Sequence, residues 1–307
     1  MLPELDLHGR SLLAVFAHPD DEAIAAGGLL AWCASLGAAV SLLCMTRGEH
    51  GQGSGDVGQT RSRELDAAAR ALGIGDVTLL DHEDGMLAWL DANRLQADIT
   101  TAIDRYKPAV VVTFDADGVY GHPDHVAVHD RTTAAVRAMA AGAPSLYYVT
   151  TPPGAMRAVA DHAARAFRDR PGGRRPSPGR GRDGIPGNET APAAGGGPPS
   201  SILGVADPDA FGAAAPPPTL VIDAGPFAAR KLAALACHAS QFHDSALAFI
   251  GERDAPRLLG VEHYRRAAAG APGSTFLDAL GLGPGSRAAM QNPAGMAPRR
   301  RAARSER

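Results

Sequence analysis

The stretch Leu12-Leu13-Ala14-Val15-Phe16-Ala17-His18-Pro19-Asp20-Asp21-Glu22 decides how this chain folds. Its first six residues form an apolar run of strand length without polar alternation, as a strand buried on both faces requires. The run breaks on His18-Pro19 and three acids. The Ala/Leu-rich pattern that follows, from about Glu22 to Leu36, stops near Gly37, so a strand hands over to a helix at the acidic motif. The same short apolar run recurs at Val40 to Thr46, Val77 to Leu80, Val110 to Phe114 and Leu146 to Val149. A second helix, around Thr60 to Leu72, ends at Gly73, which suits a C-terminal glycine cap. Alternating strands and helices imply right-handed crossovers and a Rossmann-like α/β fold: a mostly parallel sheet with helices on both faces, plus a smaller C-terminal portion. Ligands gather at the carboxyl ends of such strands, near the point where strand order reverses.

The 307 residues divide by composition. A Rossmann-like catalytic region is expected over 1–165, a flexible Gly/Pro/Arg-rich insertion over 166–201, a C-terminal portion packing on the catalytic region over 202–283, and a disordered tail over 284–307. Within the C-terminal portion, Leu220 to Ile222 reads as a strand and Ala228 to Ser240 as a helix. In the tail, Arg299-Arg300-Arg301 reads as a solvated end, and Asn188-Glu189-Thr190 as a coincidental glycosylation match. With 45% hydrophobic and 21% charged residues the chain is globular, and a net charge of -3 provides no global field for nucleic acid or anionic membrane. The partner expected is a small molecule; homo-oligomers are compatible with this composition. Cys33, Cys44 and Cys237 have neither CxxC spacing nor an even count and read as reduced thiols. No basic n-region precedes the first apolar run, and no apolar stretch approaches the roughly 20 residues of a membrane span, so a cytoplasmic protein is expected.

The chemistry sits in two loops. Asp20 and Asp21 after the first strand have a plain reading as helix caps. However, Tyr120-Gly121-His122-Pro123-Asp124-His125 repeats the His-Pro-Asp core after the strand Val110 to Phe114. Adjacent parallel strands would bring both loops to one rim, where His18, Asp21 and His125 converge on one ion. Two imidazoles and a carboxylate, with the fourth position left to water, make a catalytic zinc arrangement. The same donors would take Fe²⁺, Co²⁺ or Mn²⁺. An open zinc site acidifies water towards pH ~7 and polarises a carbonyl, which suits amide hydrolysis. Asp20 is then the candidate general base, and His122, held as imidazolium by Asp124, the candidate group that stabilises the tetrahedral intermediate and protonates the departing amine. Tyr120 would donate a second hydrogen bond to the oxyanion. His129, four residues after His125, competes as a ligand but suits packing or outer support better. His8, His50, His82, His162 and His243 fit no metal spacing.

Taken together, His18-Pro19-Asp20-Asp21-Glu22 and Gly121-His122-Pro123-Asp124-His125 resemble the paired signature of the LmbE-like, or PIG-L (GlcNAc-PI de-N-acetylase), zinc-dependent N-deacetylases, following the pattern of the mycothiol-pathway deacetylase and amidase branch. The resemblance covers Leu12 to Val149 and returns at Arg230 to Gln241 and Glu262-His263-Tyr264. It implies one zinc at His18, Asp21 and His125, Asp20 as base, and support from Tyr120, His122 and Asp124. It also implies that Arg61 and Asp84, with Glu49, bind the sugar of an N-acetylglucosaminyl conjugate. Arg61 and Glu64 alternatively read as a solvated helix pair. The loop after Glu49 and the Arg/Gly/Pro-rich insertion depart from the mycothiol-type pattern. Three other readings stay open: an amidase for a larger acyl group on a glucosaminyl thiol conjugate, a two-metal phosphoesterase using Asp115 and Asp117, and an inactive sugar-binding module.

Overall fold

A computed structural model describes residues 5–139, 142–169 and 201–282. The elements run β1 (Ser11–Phe16), α1 (Asp21–Ser35), β2 (Ala39–Thr46), α2 (Val57–Leu72), β3 (Asp76–His82), α3 (Ala92–Tyr106), β4 (Val110–Phe114), the helical turn α4 (Gly118–Gly121), α5 (Pro123–Ala138), β5 (Ser145–Thr150) and α6 (Ala155–Arg168). After the gap come β6 (Leu220–Asp223), α7 (Ala228–Cys237), α8 (Ala239–Phe242), α9 (Ala255–Leu259), β7 (Val261–Gly270) and α10 (Phe276–Leu280). Most of the expected insertion (170–200), and the tail with its arginine cluster, lie outside the described residues, as does Asn188-Glu189-Thr190.

The seven strands of the described residues form one sheet in the order β3-β2-β1-β4-β5-β7-β6. Strands β1 to β5 are parallel, while β7 runs antiparallel to both β5 and β6. The chain winds outward from β1 to β3, then returns to place β4 on the other side of β1, so strand order reverses between β1 and β4. That is where an open α/β sheet leaves a crevice at its carboxyl edge. Every residue of β4 and β5, and all but the first of β1, is buried, which explains their unbroken apolar sequence. Helices α1, α2 and α7 pack together, and α3 packs on α5. In α3 the buried residues Leu95, Ile99, Ala102 and Ile103 form the single apolar stripe of a surface helix. Gly73 caps α2 at φ 81°, a left-handed conformation suited to glycine.

The C-terminal residues complete this sheet. Glu262 on β7 accepts hydrogen bonds from the backbone N–H groups of Gly28 and Leu29 (2.8 Å each), the Tyr264 hydroxyl (2.8 Å) and the Lys231 ammonium (2.6 Å). A Cβ on Gly28 would lie 2.6 Å from Ala224 and 2.9 Å from Glu262, so only glycine lets α1 approach so closely. Among the described residues no helix is long and apolar enough to cross a membrane.

Candidate metal centre and active site

Strands β1 and β4 lie side by side, and the two His-Pro-Asp loops leave their carboxyl ends together. The three groups approach one another closely, the two histidines through different oxygens of Asp21: His18 Nδ1 to Asp21 Oδ2 is 3.4 Å, His125 Nε2 to Asp21 Oδ1 is 3.3 Å, and His125 Nε2 to His18 Nδ1 is 3.3 Å. Ligands placed about 2.0–2.1 Å from a tetrahedral zinc stand about 3.3–3.4 Å apart, as the two histidine nitrogens do, with an Asp21 oxygen within similar reach of each. The hydrogen-bond network also fixes which nitrogens carry lone pairs. His125 Nδ1 donates to the Gly118 carbonyl (3.1 Å), leaving Nε2 as an electron-pair donor. His18 Nε2 faces the carboxylates of Asp84 (3.1 Å) and Asp124 (3.2 Å), so it carries hydrogen, and Nδ1 is the nitrogen that becomes an electron-pair donor once its own proton is displaced. The two imidazoles and the Asp21 carboxylate therefore converge on one point, where a cation would replace the proton that His18 otherwise holds on Nδ1. The donor set fits a divalent ion.

The electrostatics agree. Burial opposes charge on His18, but hydrogen bonds to Asp124, Asp21 and Asp84 outweigh it and raise its pKa well above the ordinary histidine value. Burial also disfavours charge on His125 and lowers its pKa to about 3, so it is neutral. Asp21 moves the other way: burial would raise it, yet the two imidazoles hold it below the ordinary carboxylate range. The His125 ring is stacked on Phe114, with centroids 3.9 Å apart.

Asp20 stands at the N-cap of α1 but its side chain makes no capping bond, so the plain capping reading fails there. Its carboxylate instead meets the Arg61 guanidinium at 3.1 Å. Burial lifts its pKa to about 6, against the opposing charge of Arg61. Its backbone is at φ 118°, an unusual conformation for a residue with a side chain, and such strain costs roughly 1–3 kcal/mol. Arg61 also donates to the carbonyls of Gly48 (2.8 Å) and Pro19 (2.6 Å). A Cβ on Gly48 would sit 2.3 Å from the guanidinium, and its φ is 63°, so this turn requires glycine.

His122 opens α5, with Nδ1 accepting from the Asp124 N–H at 3.2 Å, which leaves Nε2 as its protonated nitrogen. Burial and the neighbouring charge of His18 lower its pKa, so the imidazolium expected from sequence is replaced by a neutral ring. A bound dication would push it the same way. The Asp124 carboxylate does not orient the His122 ring; it accepts from His18 Nε2 and from the N–H groups of Gly85 (2.8 Å) and Leu87 (3.0 Å). Tyr120 packs edge-on against His125 (5.3 Å) and His122 (5.7 Å), and burial raises its pKa, keeping the phenol protonated.

A cavity of about 370 Å³ opens over the cluster. Its lining is mixed: polar His50, Arg61, Asp84 and Gln241, apolar Ile24, Val149, Met156, Leu259 and Val261, and among the residues at β5 and β7 also Thr150, Glu262 and His263. Of the three residues expected to bind sugar, Arg61 and Asp84 reach this cavity with protein partners already in place. Glu49 stands behind it, accepting from the Asp84 N–H at 2.9 Å. His129 is outside the cluster, its Nδ1 donating to the Phe114 carbonyl at 3.0 Å. Asp115 is paired with Arg265 (2.8 Å), and Asp117 caps the turn at Val119, so the two do not build a second metal site. His50 was passed over in the sequence, yet its N–H and ring hold Asp84. Glu22 and His238 were quoted without a role and prove to be paired beneath Asp20.

Residues 13–136 match the family model described as PIG-L, GlcNAc-PI de-N-acetylase. A 1D-myo-inositol 2-acetamido-2-deoxy-alpha-D-glucopyranoside deacetylase from Mycobacteroides abscessus is 37% identical over 166 residues, covering 45% of this chain and 60% of that protein. An enzyme of the same description from Acidothermus cellulolyticus is 32% identical over 286 residues, covering 83% of this chain and 88% of its own. Among solved structures, the 4-carboxy-2-hydroxymuconate hydratase of Pseudomonas putida KT2440 superimposes with a TM-score of 0.52 at 18% identity, covering 87% of this chain and 99% of its own. That likeness concerns the fold alone, and the same fold carries a hydratase, so the reaction must be argued from the site.

Proposed function

The chain belongs to the PIG-L family of GlcNAc-PI de-N-acetylases, and from that premise we propose that it is a zinc-dependent N-deacetylase, hydrolysing the acetamide of an N-acetylglucosaminyl conjugate to acetate and a free amine. The observation that carries this reading is the buried convergence of His18, Asp21 and His125, whose ligand atoms lie close enough together to hold one metal ion. We assign one zinc ion per chain to these three residues, with Fe²⁺, Co²⁺ or Mn²⁺ as substitutes on the same donors. A divalent ion held by these three residues would polarise the amide carbonyl and acidify a water molecule.

Asp20 takes a proton from water as the water oxygen bonds to the carbonyl carbon. It returns that proton to the nitrogen as the C–N bond breaks. A carboxyl group titrating near 6 serves in both directions close to neutral pH. His122, neutral and protonated at Nε2, donates to the oxyanion, with the Tyr120 phenol as a second donor. Asp124 and Asp84 hold the His18 Nε2–H and so keep Nδ1 turned to the metal. Arg61 and Asp84 are among the polar residues lining the cavity, where the sugar hydroxyls lie, and Glu49 braces Asp84 from behind.

The inositol glycoside named for the two relatives is the first substrate to test. Zinc-loaded protein should release acetate and amine in equal amounts, with activity lost to a chelator and restored by zinc. No acetate from any N-acetylglucosaminyl glycoside, at one zinc per chain, would overturn the proposal. The apolar lining residues Ile24, Met156, Leu259 and Val261 favour a second reading, an amidase for acyl groups larger than acetyl, which a series of N-acyl glucosamines separates from the first. We place the enzyme in the cytoplasm, where Cys33, Cys44 and Cys237 remain unpaired thiols.

A further inference from the structure

Beneath Asp20 lies a pair of side chains that the chemistry above leaves unused. Glu22 is fully buried, and each of its carboxylate oxygens is committed: Oε2 accepts from the backbone N–H of Asp20 at 3.1 Å, and Oε1 meets Nε2 of His238 at 2.7 Å. His238 is equally buried and enters from the junction of α7 and α8, more than 200 residues along the chain. Its Nδ1 has no partner, so its ring makes one hydrogen bond, and that bond is to Glu22. On the other side of the Asp20 peptide, its carbonyl accepts from the N–H groups of Ala23 and Ile24 at 3.1 Å each. The backbone of Asp20 is therefore clamped at both ends while it holds φ 118°. The carbonyl clamp is ordinary helix initiation. The N–H clamp follows the reach-back of a capping box, but here the reaching side chain is itself anchored from a distant helix.

We infer that Glu22 and His238 are positioning residues for Asp20: Glu22 pins the strained Asp20 peptide, His238 fixes Glu22, and the pair thereby aims the Asp20 carboxylate at the reacting water. This rests on the role proposed above for Asp20. The pair ties the C-terminal portion to catalysis, since the residue that steadies the base is carried by the element following α7.

The test uses the full-length zinc-loaded protein. Glu22→Ala frees the Asp20 peptide, and a base displaced by about 1 Å should lower kcat about a hundredfold. KM and zinc content should stay at wild-type values, because His18, Asp21 and His125 keep their contacts. Glu22→Gln retains an oxygen for the Asp20 N–H, and its amide can donate to the other tautomer of His238, so kcat should recover to within about fivefold of wild type. His238→Ala removes a hydrogen bond to a charged group and should lower kcat tenfold or more, again at constant KM. It carries the same test should Glu22→Ala fail to fold. A crystal structure of either alanine variant should show Asp20 relaxed out of the left-handed region. The inference is overturned if the alanine variants keep wild-type kcat, lose zinc in step with activity, or leave Asp20 at its strained φ. The crystallographic readout does not depend on turnover, so it decides the positioning claim even if the wild-type protein releases no acetate, a result that would count against the proposed function instead.

Discussion

Replacing Arg61 by methionine should move the pH dependence of the reaction upward. The guanidinium stands 3.1 Å from Asp20, and both groups are buried. With charge centres about 4 Å apart and an effective dielectric constant of about 20, their attraction is about 4 kcal/mol. That equals about 3 pKa units, the upper end of the 1–3 expected for an aspartate beside an arginine. Burial holds Asp20 at about 6 despite this attraction, so removing the guanidinium raises it further. The base must be ionised to accept a proton, and the acid limb of kcat/KM therefore shifts up by about 1–3 units. For a shift of about 2 units, the ionised fraction at pH 7 falls from about nine-tenths to about one-tenth. The rate at pH 7 should drop about tenfold and recover by about pH 10. A bound cation displaces the limbs of wild type and variant together, so the difference between them persists. The assay is acetate release from pH 5 to 10 at saturating zinc, with Arg61→Lys as an intermediate case that retains a charge. An acid limb that stays in place would refute the reasoning, and a loss confined to KM would assign Arg61 to the sugar instead.

Asp115→Asn should leave zinc at one per chain, because its carboxylate is occupied by Arg265; a fall in metal content would revive a two-metal site. Glu262→Leu leaves the Lys231 ammonium buried without its counter-ion and removes the acceptor shared by the Tyr264 hydroxyl and the Gly28 and Leu29 N–H groups, so it should destabilise the protein by about 3–5 kcal/mol. A melting temperature within 2 °C of wild type, against the roughly 2–4 °C expected per kcal/mol, would contradict that role for Glu262. Zinc binding near neutral pH should release about one proton, since His18 is charged without a cation and must be neutral to ligate, and affinity should rise with pH. Calorimetric heats that do not vary with buffer ionisation enthalpy would exclude this exchange.

The parts legible in the sequence were those dictated by local periodicity. Strands β1 and β4 are buried on both faces, so their apolar runs announce themselves, and the repeated His-Pro-Asp core marks the two ends that meet at the reversal of strand order. Strand β7 escaped that reading because Glu262, Arg265 and Arg266 interrupt its apolar pattern with charges satisfied across the fold by Lys231, Asp115 and Ser145. Pairings such as Glu22 with His238 span most of the chain and have no local signature. The direction taken by Asp124 was equally hidden. Its carboxylate turns towards His18 because the loop at Gly85 and Leu87 presents two N–H groups there, while its own N–H is what meets His122.

The buried charges make the metal and the base interdependent. Asp20, Asp21, Asp84 and Asp124 gather around the cluster, with Arg61 as the permanent cation among them. An excess of carboxylates in a poorly solvated site is relieved by protons or by a cation. Their hydrogen bonds raise the His18 pKa well above the ordinary value, and burial lifts Asp20 to about 6. A dication relieves the same excess and displaces the proton from His18, while Asp20, outside the donor triangle, retains the desolvation that makes it basic. Carboxylates behind the ligand therefore act on both metal retention and proton transfer. By this reasoning Asp124 and Asp84, though they need not touch the substrate, belong to the chemistry as fully as the three residues that face the ion.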